Sequence, residues 1–438
     1  MSRAAREGRT DRGEGRGGDL QISDRLAARP ASPAAAARPS TFAALKTKNY
    51  ALYWSGLIFY VLGHRAEYVT FAWMTWELTR DPLHLGYLGL AQGAPLVMFQ
   101  LLAGVLADRT SRRRLLLITT TLTSLTLILA FSLIVSGLAR VPHLLVLAAL
   151  SSSFRAFDEP SRMSLVPQLI DRERLPNAIA LGSIPWQAGR MIGPSVTGIL
   201  IAAFGGTVGF GLAALASCTA LGLYSRLDVR EQIKAGDGRH VLAQLVEGLS
   251  FVGHNFVFAS LISLALFNAL FGLSYITLLP VYADTYFGMG STGYGLLSAA
   301  HGAGSMLGTL IIATAAQRIL RPGIVMLSAA TCMGLALMTF SRSPGMGLAF
   351  PMLALTGFCS TFYLTHVTTI IQTKVPDHLR GRVLSLYSLC WNLLPLGGLL
   401  AGALAAAVDA RFAVLVGGAL VAANAVVLFT SRRLRAIG

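Results

Sequence analysis

The chain has 438 residues, of which 54% are hydrophobic and only 13% are charged, and its formal net charge is +16. These fractions lie outside the range of ordinary soluble domains and predict a polytopic membrane protein. The net charge raises the question of a nucleic-acid partner, but the distribution of the basic residues described below argues against nucleic-acid binding.

The N-terminal segment 1–40 is rich in Arg, Gly, Ala and Pro and lacks the apolar core of a signal peptide. We interpret it as a disordered cytoplasmic tail. Its arginines could bind anionic lipids, but they are scattered rather than clustered, which makes this alternative the weaker one.

Twelve apolar segments of membrane-spanning length follow, separated by short polar or Gly/Pro-containing breaks. Because hydrocarbon offers no partner to backbone N–H and C=O groups, each segment is expected to be a helix. The predicted fold is an all-α membrane protein with twelve transmembrane helices. The segments are 53–76, 84–107, 115–137, 142–163, 176–203, 206–225, 256–281, 294–316, 323–341, 346–371, 383–407 and 412–430.

The basic residues are distributed unequally between the two sides of these spans. With the N-terminus inside, the cytoplasmic segments hold most of the 36 Lys and Arg, and the opposite loops hold only Arg80, Arg140, Arg342 and Arg411. This positive-inside asymmetry predicts a multi-pass protein of the inner (plasma) membrane with both termini in the cytoplasm. It also explains the positive net charge without nucleic acid.

The first span carries His64, Arg65 and Glu67 close to its middle. Arg65 and Glu67 are two residues apart and face different sides of a helix, so neither neutralises the other, and their partners must lie elsewhere. His64 is as well explained as a packed polar residue. Aromatic residues expected at the membrane interfaces mark the ends of the span: Tyr53, Trp54, Trp73 and Trp76.

The loop between the second and third spans, residues 104–114, reads GVLADRTSRRR and places one carboxylate among four arginines. It resembles the loop between the second and third helices of the major facilitator superfamily, except that Ser111 replaces a glycine of the pattern. We expect a gating loop formed by Gly104, Asp108, Arg109, Arg112 and Arg113. The resemblance implies that Asp108 meets the start of the eleventh helix, at Gly381 and Arg382, when the cytoplasmic side is closed.

The resemblance covers about residues 41–431 and is strongest to the branch of enterobactin exporters and macrolide-efflux-like permeases. It implies that helices one, four, seven and ten line a central cavity. The pieces that carry it are WELT at 76–79, LGLAQ at 88–92, RAFD at 155–158, LPNA at 175–178 and PDHLRGRV at 376–383.

The fourth span carries Arg155, Asp158, Glu159 and Arg162. Each charge is costly inside a bilayer and should face a cavity or a partner. We interpret Glu67 as a proton carrier that binds a proton when a basic partner withdraws, and Arg65, Arg155, Asp158 and Glu159 as the rest of the charge pathway. The alternative for Glu67 is a permanent ion pair with another helix. The alternative for the residues from Arg155 to Arg162 is a series of ion pairs along the fourth helix itself, at spacings of three and four residues.

The fifth span contains a stripe of Gly189, Gly193, Pro194 and Gly198, for which helix packing is the default explanation. The stripe also resembles the glycine-proline motif of antiporters in the superfamily, although Thr197 stands where a glycine is expected. Arg190 lies within this span and should bind an anionic substrate group or a neighbouring helix.

A weak internal repeat relates the fifth span to the eleventh and the second to the eighth. It predicts two pseudo-symmetric six-helix halves that rock about a midplane site. The expected domains are the tail 1–40, the half 41–226, a cytoplasmic connector 227–250, the half 251–431 and the tail 432–438.

The second half is poorer in charge but mixes aromatic and polar groups on two helix faces. Asn268, Phe271 and Tyr275 share a face of the seventh span, and Tyr363 and His366 share one of the tenth. These five residues are predicted to line the substrate cavity, with ordinary packing as the alternative.

No enzyme motif is recognisable: none of the four lysines follows a glycine, so a phosphate-binding loop is absent from the sequence. No cofactor or metal is expected, and the four cysteines indicate neither disulfides nor metal. The favoured hypothesis is a monomeric, proton-coupled exporter of a small hydrophobic or amphipathic compound. An importer or facilitator of the same fold and a non-transporting receptor or scaffold are the alternatives.

Overall fold

The computed structural model describes residues 42–229, 250, 252–315 and 321–437, apart from the side chains of residues 100–102, 104, 105, 107–109, 315, 377 and 378. The predicted tail 1–40 and most of the connector 227–250 lie outside the described residues. The described ranges are almost entirely helical and contain no β-strand.

Fifteen α-helices follow one another along the described chain. They are α1 (Lys48–Thr79), α2 (Pro82–Arg109), α3 (Arg112–Val135), α4 (Val141–Leu169), α5 (Leu175–Phe204), α6 (Gly206–Ser225), α7 (Phe256–Phe267), α8 (Tyr275–Val281), α9 (Gly290–Ala315), α10 (Pro322–Ser341), α11 (Met346–Lys374), α12 (Asp377–Trp391), α13 (Leu394–Ala407), α14 (Ala410–Phe429) and α15 (Arg432–Arg435).

Eight helical segments in the described residues are long and apolar enough to cross a membrane. The other four predicted spans fall on α1, α2, α4 and α5, which contain 32, 28, 29 and 30 residues. Three of these four helices, α1, α4 and α5, carry the charged residues at 65–67, 155–162 and 190. The eight segments are Arg112–Val135, Gly206–Ser225, Phe256–Tyr286, Gly290–Thr314, Pro322–Ser341, Met346–Lys374, Leu379–Ala407 and Ala410–Phe429.

Two segments that the sequence predicts as continuous α-helices are interrupted. After α7 the chain forms a π-helical turn at Asn268–Gly272, in which the N–H of Leu273 donates to the carbonyl of Asn268 at 2.9 Å, five residues earlier. The second interruption separates α12 from α13, whose first turn contains Pro395. Proline has no backbone N–H and is tolerated at the first turn of a helix, so α13 begins anew at this point.

Several helix pairs pack along most of their length. In the first part of the chain, α1 packs on α5 and α6, α2 on α4, and α3 on α4 and α6. In the later part, α9 packs on α11, and α10 on α11 and α14. The two parts meet where α5 crosses α9 and where α2 crosses α13. Gly198 and Gly295 meet at the first crossing, and small residues of this kind let two helix backbones approach closely.

The bundle has two ends, the Trp76 end and the Arg112 end, at which different helix termini meet. The Trp76 end contains the last turn of α1 and the first turns of α2 and α9, and the Arg112 end contains the last turn of α2 and the first turn of α3. Three of the aromatic residues expected at the membrane interfaces, Tyr53, Trp73 and Trp76, are at most 7% exposed and are covered by neighbouring parts of the protein.

Candidate functional site

Glu67 is buried on α1 and is held by side chains of α4. The Ser151 hydroxyl donates to Glu67 Oε1 at 2.5 Å, and Arg155 Nη1 donates to Oε2 at 3.3 Å. Arg155 also donates to His64 Nδ1 at 2.7 Å and to the Ser152 hydroxyl at 2.6 Å. We refer to these five residues as the Glu67 cluster. The ion pair joins the first and fourth helices, and its charged atoms are largely removed from solvent.

A second ion pair lies within α4. Arg162 donates to both carboxylate oxygens of Asp158, through Nε and, at 3.2 Å, through Nη2. The Thr119 hydroxyl of α3 donates to Asp158 at 3.3 Å. Arg162 Nη1 donates to the Tyr224 hydroxyl at 2.5 Å, and the guanidinium carbon lies 3.5 Å from the centre of the Tyr60 ring. Both charges are therefore paired, hydrogen-bonded and covered by aromatic rings, which is the condition for stable burial.

The four charged residues predicted on α4 thus separate into different environments. Arg155 pairs with Glu67 on another helix, and Asp158 pairs with Arg162 on its own helix. Glu159 is exposed and belongs to neither pair. The structure therefore contains an interhelical pair and a local pair, with Glu159 outside both of them.

Arg65 faces away from Glu67 and packs on the glycine stripe of α5. A Cβ atom at Gly193 would lie 2.7 Å from Arg65 Cβ, and one at Gly189 would lie 3.7 Å from Arg65 Cγ. The guanidinium carbon of Arg65 is 6.0 Å from the centre of the Trp186 ring. These two glycines therefore leave room for the side chain of Arg65. Pro194 and Gly198 pack instead on Gly295 of α9.

Arg190 is exposed and lies on the same face of α5 as Trp186, four residues earlier. Its backbone carbonyl contacts Gly302 of α9, and its charge lies within electrostatic range of Arg65 and His301. His301 shares a hydrogen bond of 2.8 Å with the hydroxyl of Tyr275. The structure therefore brings Arg65, Arg190 and His301 into one region between α1, α5 and α9.

Three residues of this region, Trp186, Tyr68 and His301, are not among the site residues predicted from the sequence. His301 lies inside the eighth predicted span, so the rule that selected the other ionisable residues applies to it as well. Tyr68 follows Arg65 by three residues, but nothing in the sequence distinguishes a role in the site from ordinary helix packing. Trp186 carries no charge that would mark it in the sequence, and its contact with Arg65 depends on how α1 crosses α5.

The predicted cavity residues of the second half are buried or partly buried. Tyr363 donates to the carbonyl of Leu264 at 2.7 Å, and His366 Nδ1 lies 2.7 Å from the carbonyl of Phe362. Backbone groups thus already satisfy these two side chains. Phe271 packs on Phe267, with ring centres 5.6 Å apart, and Tyr275 binds His301.

Asn268 is buried at the first position of the π-helical turn. Neither its amide nitrogen nor its amide oxygen has a hydrogen-bond partner among the described residues. An unsatisfied buried amide is unfavourable, so Asn268 is the residue of the predicted set that most needs a partner.

The gating loop is a turn of two residues, since α2 ends at Arg109 and α3 begins at Arg112. Ser111, the residue that replaces the glycine of the pattern, accepts a hydrogen bond of 3.1 Å from the N–H of Arg114 and thereby caps α3. The turn is therefore tight without that glycine. Gly104, Asp108 and Arg109 belong to the last turns of α2, but their side chains are not among the described atoms. The predicted contact of Asp108 with the start of the eleventh predicted helix is therefore not tested.

The two arginines that follow this turn bind backbone carbonyls of neighbouring helices. Arg112 donates to the carbonyl of Ser164 on α4 at 2.9 Å, and Arg113 donates to that of Ser225 on α6 at 2.7 Å. Ser225 is the last residue of α6, where a cation also interacts favourably with the helix dipole. Arg112 and Arg113 therefore tie the start of α3 to two other helices.

At the Trp76 end, α1 is tied to the π-helical turn Tyr282–Tyr286 that follows α8. The indole nitrogen of Trp76 donates to Asp284 Oδ2 at 2.9 Å, and Arg80 forms an ion pair with the same oxygen. These two bonds link residues more than 200 positions apart. They join the first and the later part of the chain at this end of the bundle.

A sequence-family model for transmembrane secretion effectors matches residues 39–437. The chain belongs to this family, a branch of the major facilitator superfamily. The family resemblance predicted from the sequence is confirmed. Because the members of this family are transporters, the chain is a transporter and not an enzyme.

Two relatives agree with this family, and one solved structure has a similar fold. The chain is 29% identical to the multidrug efflux pump Tap of Mycolicibacterium fortuitum, over 78% of this chain and 86% of Tap. It is 26% identical to the enterobactin exporter EntS of Escherichia coli O1:K1 / APEC, over 71% of this chain and 74% of EntS. A bacterial homologue of the human lysosomal transporter Spinster, inward-facing and occupied, is 17% identical and superposes with a TM-score of 0.69 over 89% of this chain and 97% of that chain.

These comparisons agree with the helical architecture and the eight apolar segments. The chain is a multi-pass transporter of the cell membrane, with a small molecule as its substrate.

Proposed function

We propose that this member of the family is a proton-coupled exporter of a small hydrophobic or amphipathic compound and works by alternating access. Twelve helices form two six-helix halves, 41–226 and 251–431, joined by the connector 227–250, and the transporter acts as a monomer. The halves rock about a central site, which opens it to one side of the membrane at a time. The names of Tap and EntS support export as the direction.

The buried carboxylate of Glu67 carries this proposal. It is 2% exposed, lies in the middle of α1, and is bound by Arg155 of a different helix. A movement of α4 relative to α1 withdraws Arg155, and the isolated carboxylate then binds a proton because a bare charge is unfavourable in a low-dielectric site. Proton binding is thereby coupled to the change between the two states. Glu159 and the Asp158–Arg162 pair complete the charge pathway.

The distribution of basic residues is the basis on which we assign each end of the bundle to a side of the membrane. We place the Arg112 end and both termini in the cytoplasm, which puts the Trp76 end outside. The bonds of Asp284 to Trp76 and Arg80 then hold the outer side closed. The cavity between the halves is lined by Asn268, Phe271, Tyr275, Tyr363 and His366.

In the outward-facing state, we expect Asp108 to accept hydrogen bonds from the first turn of α12, near Gly381 and Arg382. The N-terminus of a helix carries partial positive charge and attracts a carboxylate. Gly104 and Arg109 shape the same loop, and Arg112 and Arg113 hold it against α4 and α6.

Transport by purified protein in proteoliposomes tests the proposal. Radiolabelled naphthalene compounds with an anionic, a neutral or a cationic head group serve as probes, with and without an imposed proton gradient. Accumulation of at least one probe that requires the gradient and is lost with a protonophore supports proton coupling. Equilibration that ignores the gradient identifies a facilitator, and lack of protein-dependent movement for every probe favours a receptor or scaffold. Both results contradict the proposal.

Replacing Asp284 with asparagine should open the outer side. Removing the charge weakens the bonds to Arg80 and Trp76, and a partly exposed ion pair contributes up to about 1 kcal/mol, or about fivefold in the population of the two states. A single cysteine at Thr197, in a background without native cysteines, should therefore react faster with an impermeant maleimide added outside.

Glu77→Gln serves as the control, because Glu77 is an exposed carboxylate at the same end of α1. It should leave the labelling rate of the cysteine at Thr197 unchanged. If Asp284→Asn also leaves the rate unchanged, the pair does not hold the outer side closed.

A further inference from the structure

The region between α1, α5 and α9 contains more positive charge than the described residues neutralise. Arg155 is paired with Glu67, but Arg65 and Arg190 form neither an ion pair nor a hydrogen bond with any described side chain. Arg65 Nε is buried and has no hydrogen-bond partner among the described residues. Two guanidinium groups within electrostatic range of each other repel, and this repulsion is relieved when an anion lies between them.

The backbone fixes both arginines in this region. Arg65 packs in the groove over Gly189 and Gly193, and Arg190 is the residue that follows Gly189. The carbonyl of Arg190 contacts Gly302, so α9 closes the same region from the other side. The side chain of Arg65 cannot leave without separating α1 from α5, so its charge is a built feature of the site. Arg190 is exposed, and its charge lies within electrostatic range of Arg65.

Aromatic side chains lie beside this charge. Trp186 stands 6.0 Å from the guanidinium of Arg65 and 6.1 Å from the ring of His64. Tyr68 is partly exposed and is close enough to Arg65 to interact with its charge. Flat apolar rings next to guanidinium groups suit a solute that has both an aromatic body and a negative head group.

We propose that Arg65 and Arg190 form the head-group subsite of the transporter and that its substrate is an amphipathic organic anion. The two guanidinium groups bind the carboxylate, sulfonate or phenolate of the solute, and Trp186 and Tyr68 contact its aromatic part. This inference rests on the proposed transport function, because it assigns the substrate class of the same cavity.

Equilibrium binding tests the subsite separately from transport. Full-length protein in phosphatidylcholine nanodiscs is titrated with naphthalene-2-sulfonate, with the neutral naphthalene-2-sulfonamide and with the cationic (naphthalen-2-ylmethyl)trimethylammonium. The sulfonate is expected to bind at least about tenfold more tightly than the other two probes, and Arg65→Gln and Arg190→Gln should each weaken it about tenfold. Arg190→Lys should retain part of the preference, because it keeps the charge.

Arg342→Gln is the matched control, since Arg342 is exposed at the end of α10 and far along the chain from the subsite. It should leave the affinity for naphthalene-2-sulfonate unchanged. Thermal unfolding of each variant shows whether it is folded; if Arg65→Gln does not fold, the two Arg190 variants decide. Equal affinity for the three probes, or an affinity for the sulfonate that neither arginine influences, overturns the proposal.

Two further measurements separate the alternatives. Nanodiscs in which phosphatidylglycerol replaces half of the phosphatidylcholine test for a lipid occupant: loss of sulfonate binding there would assign the two arginines to a lipid head group and overturn the solute assignment. Glu67→Gln should retain binding of the sulfonate. Proton coupling and anion recognition are therefore tested independently. If the wild-type protein binds the sulfonate but shows no gradient-driven transport, only the proposal of proton coupling is contradicted.

Discussion

Replacing Glu67 with glutamine is expected to abolish proton-driven accumulation of the transported probe while leaving gradient-free exchange intact. Glutamine has nearly the shape of the protonated side chain and can still bond Ser151, but it cannot release a proton. Arg155 keeps hydrogen bonds to His64 and the Ser152 hydroxyl, and its side chain is 16% exposed, so its charge is less costly to leave unpaired than that of the buried Asp158. Accumulation in proteoliposomes under an imposed gradient should fall to the level of protein-free vesicles.

The control for this experiment is Glu77→Gln, which also removes a carboxylate from α1. Because Glu77 is exposed, the Glu77→Gln variant should accumulate the probe as the wild type does. Counterflow exchange without a gradient shows whether the Glu67 variant still binds and moves solute. Undiminished gradient-driven accumulation by Glu67→Gln would rule out the proton-carrier role.

Replacing Arg162 with leucine is expected to destabilise the protein by about 3 to 5 kcal/mol, because it leaves the buried carboxylate of Asp158 without its partner. Asp158 is 3% exposed, and once Arg162 is gone only the neutral hydroxyl groups of Thr119 and Tyr60 remain to bond it in the described structure. The variant also loses the stacking of the guanidinium on Tyr60 and Tyr224. Unfolding in mixed detergent micelles with increasing dodecyl sulfate, followed by tryptophan fluorescence, measures the difference.

A double variant separates the ion pair from simple packing. Asp158→Leu combined with Arg162→Leu removes both charges, so it should recover much of the loss, as replacement of a whole buried pair often does. Arg342→Leu changes an exposed arginine and should stay within about 0.5 kcal/mol of the wild type. A loss below about 1 kcal/mol for Arg162→Leu would show that Asp158 does not depend on this partner.

Much of the family assignment was predictable because it depends on local patterns. Long apolar runs predict helices, and the loop at 104–114 is recognisable from the order of its residues. The spacing of Arg65 and Glu67 also predicts that they face different helices. In the structure Glu67 binds α4 and Arg65 packs on α5.

The pairing of side chains across the fold was not predictable in this way. Asp284 lies in a predicted interhelical loop, and its bonds to Trp76 and Arg80 depend on how α1 meets the end of the seventh span. The π-helical turn at Asn268 lies within an apolar run without a break signal. Gly272, the last residue of this turn, lies against the side chain of Met333 in α10. Contacts between distant segments of this kind are not specified by a single sequence.

The pair between Glu67 and Arg155 has a consequence for how the protein is made. On insertion scales a charged residue at the centre of a helix costs about 2.5 to 3.5 kcal/mol, so the charges of α1 oppose its release into lipid on its own. Arg155 follows Glu67 by 88 residues and is synthesised only after α2, α3 and half of α4. We therefore expect the first helix to stay at the translocon, or beside other protein, until the fourth arrives. Membrane integration would then begin with a cooperative group of helices rather than with one helix at a time.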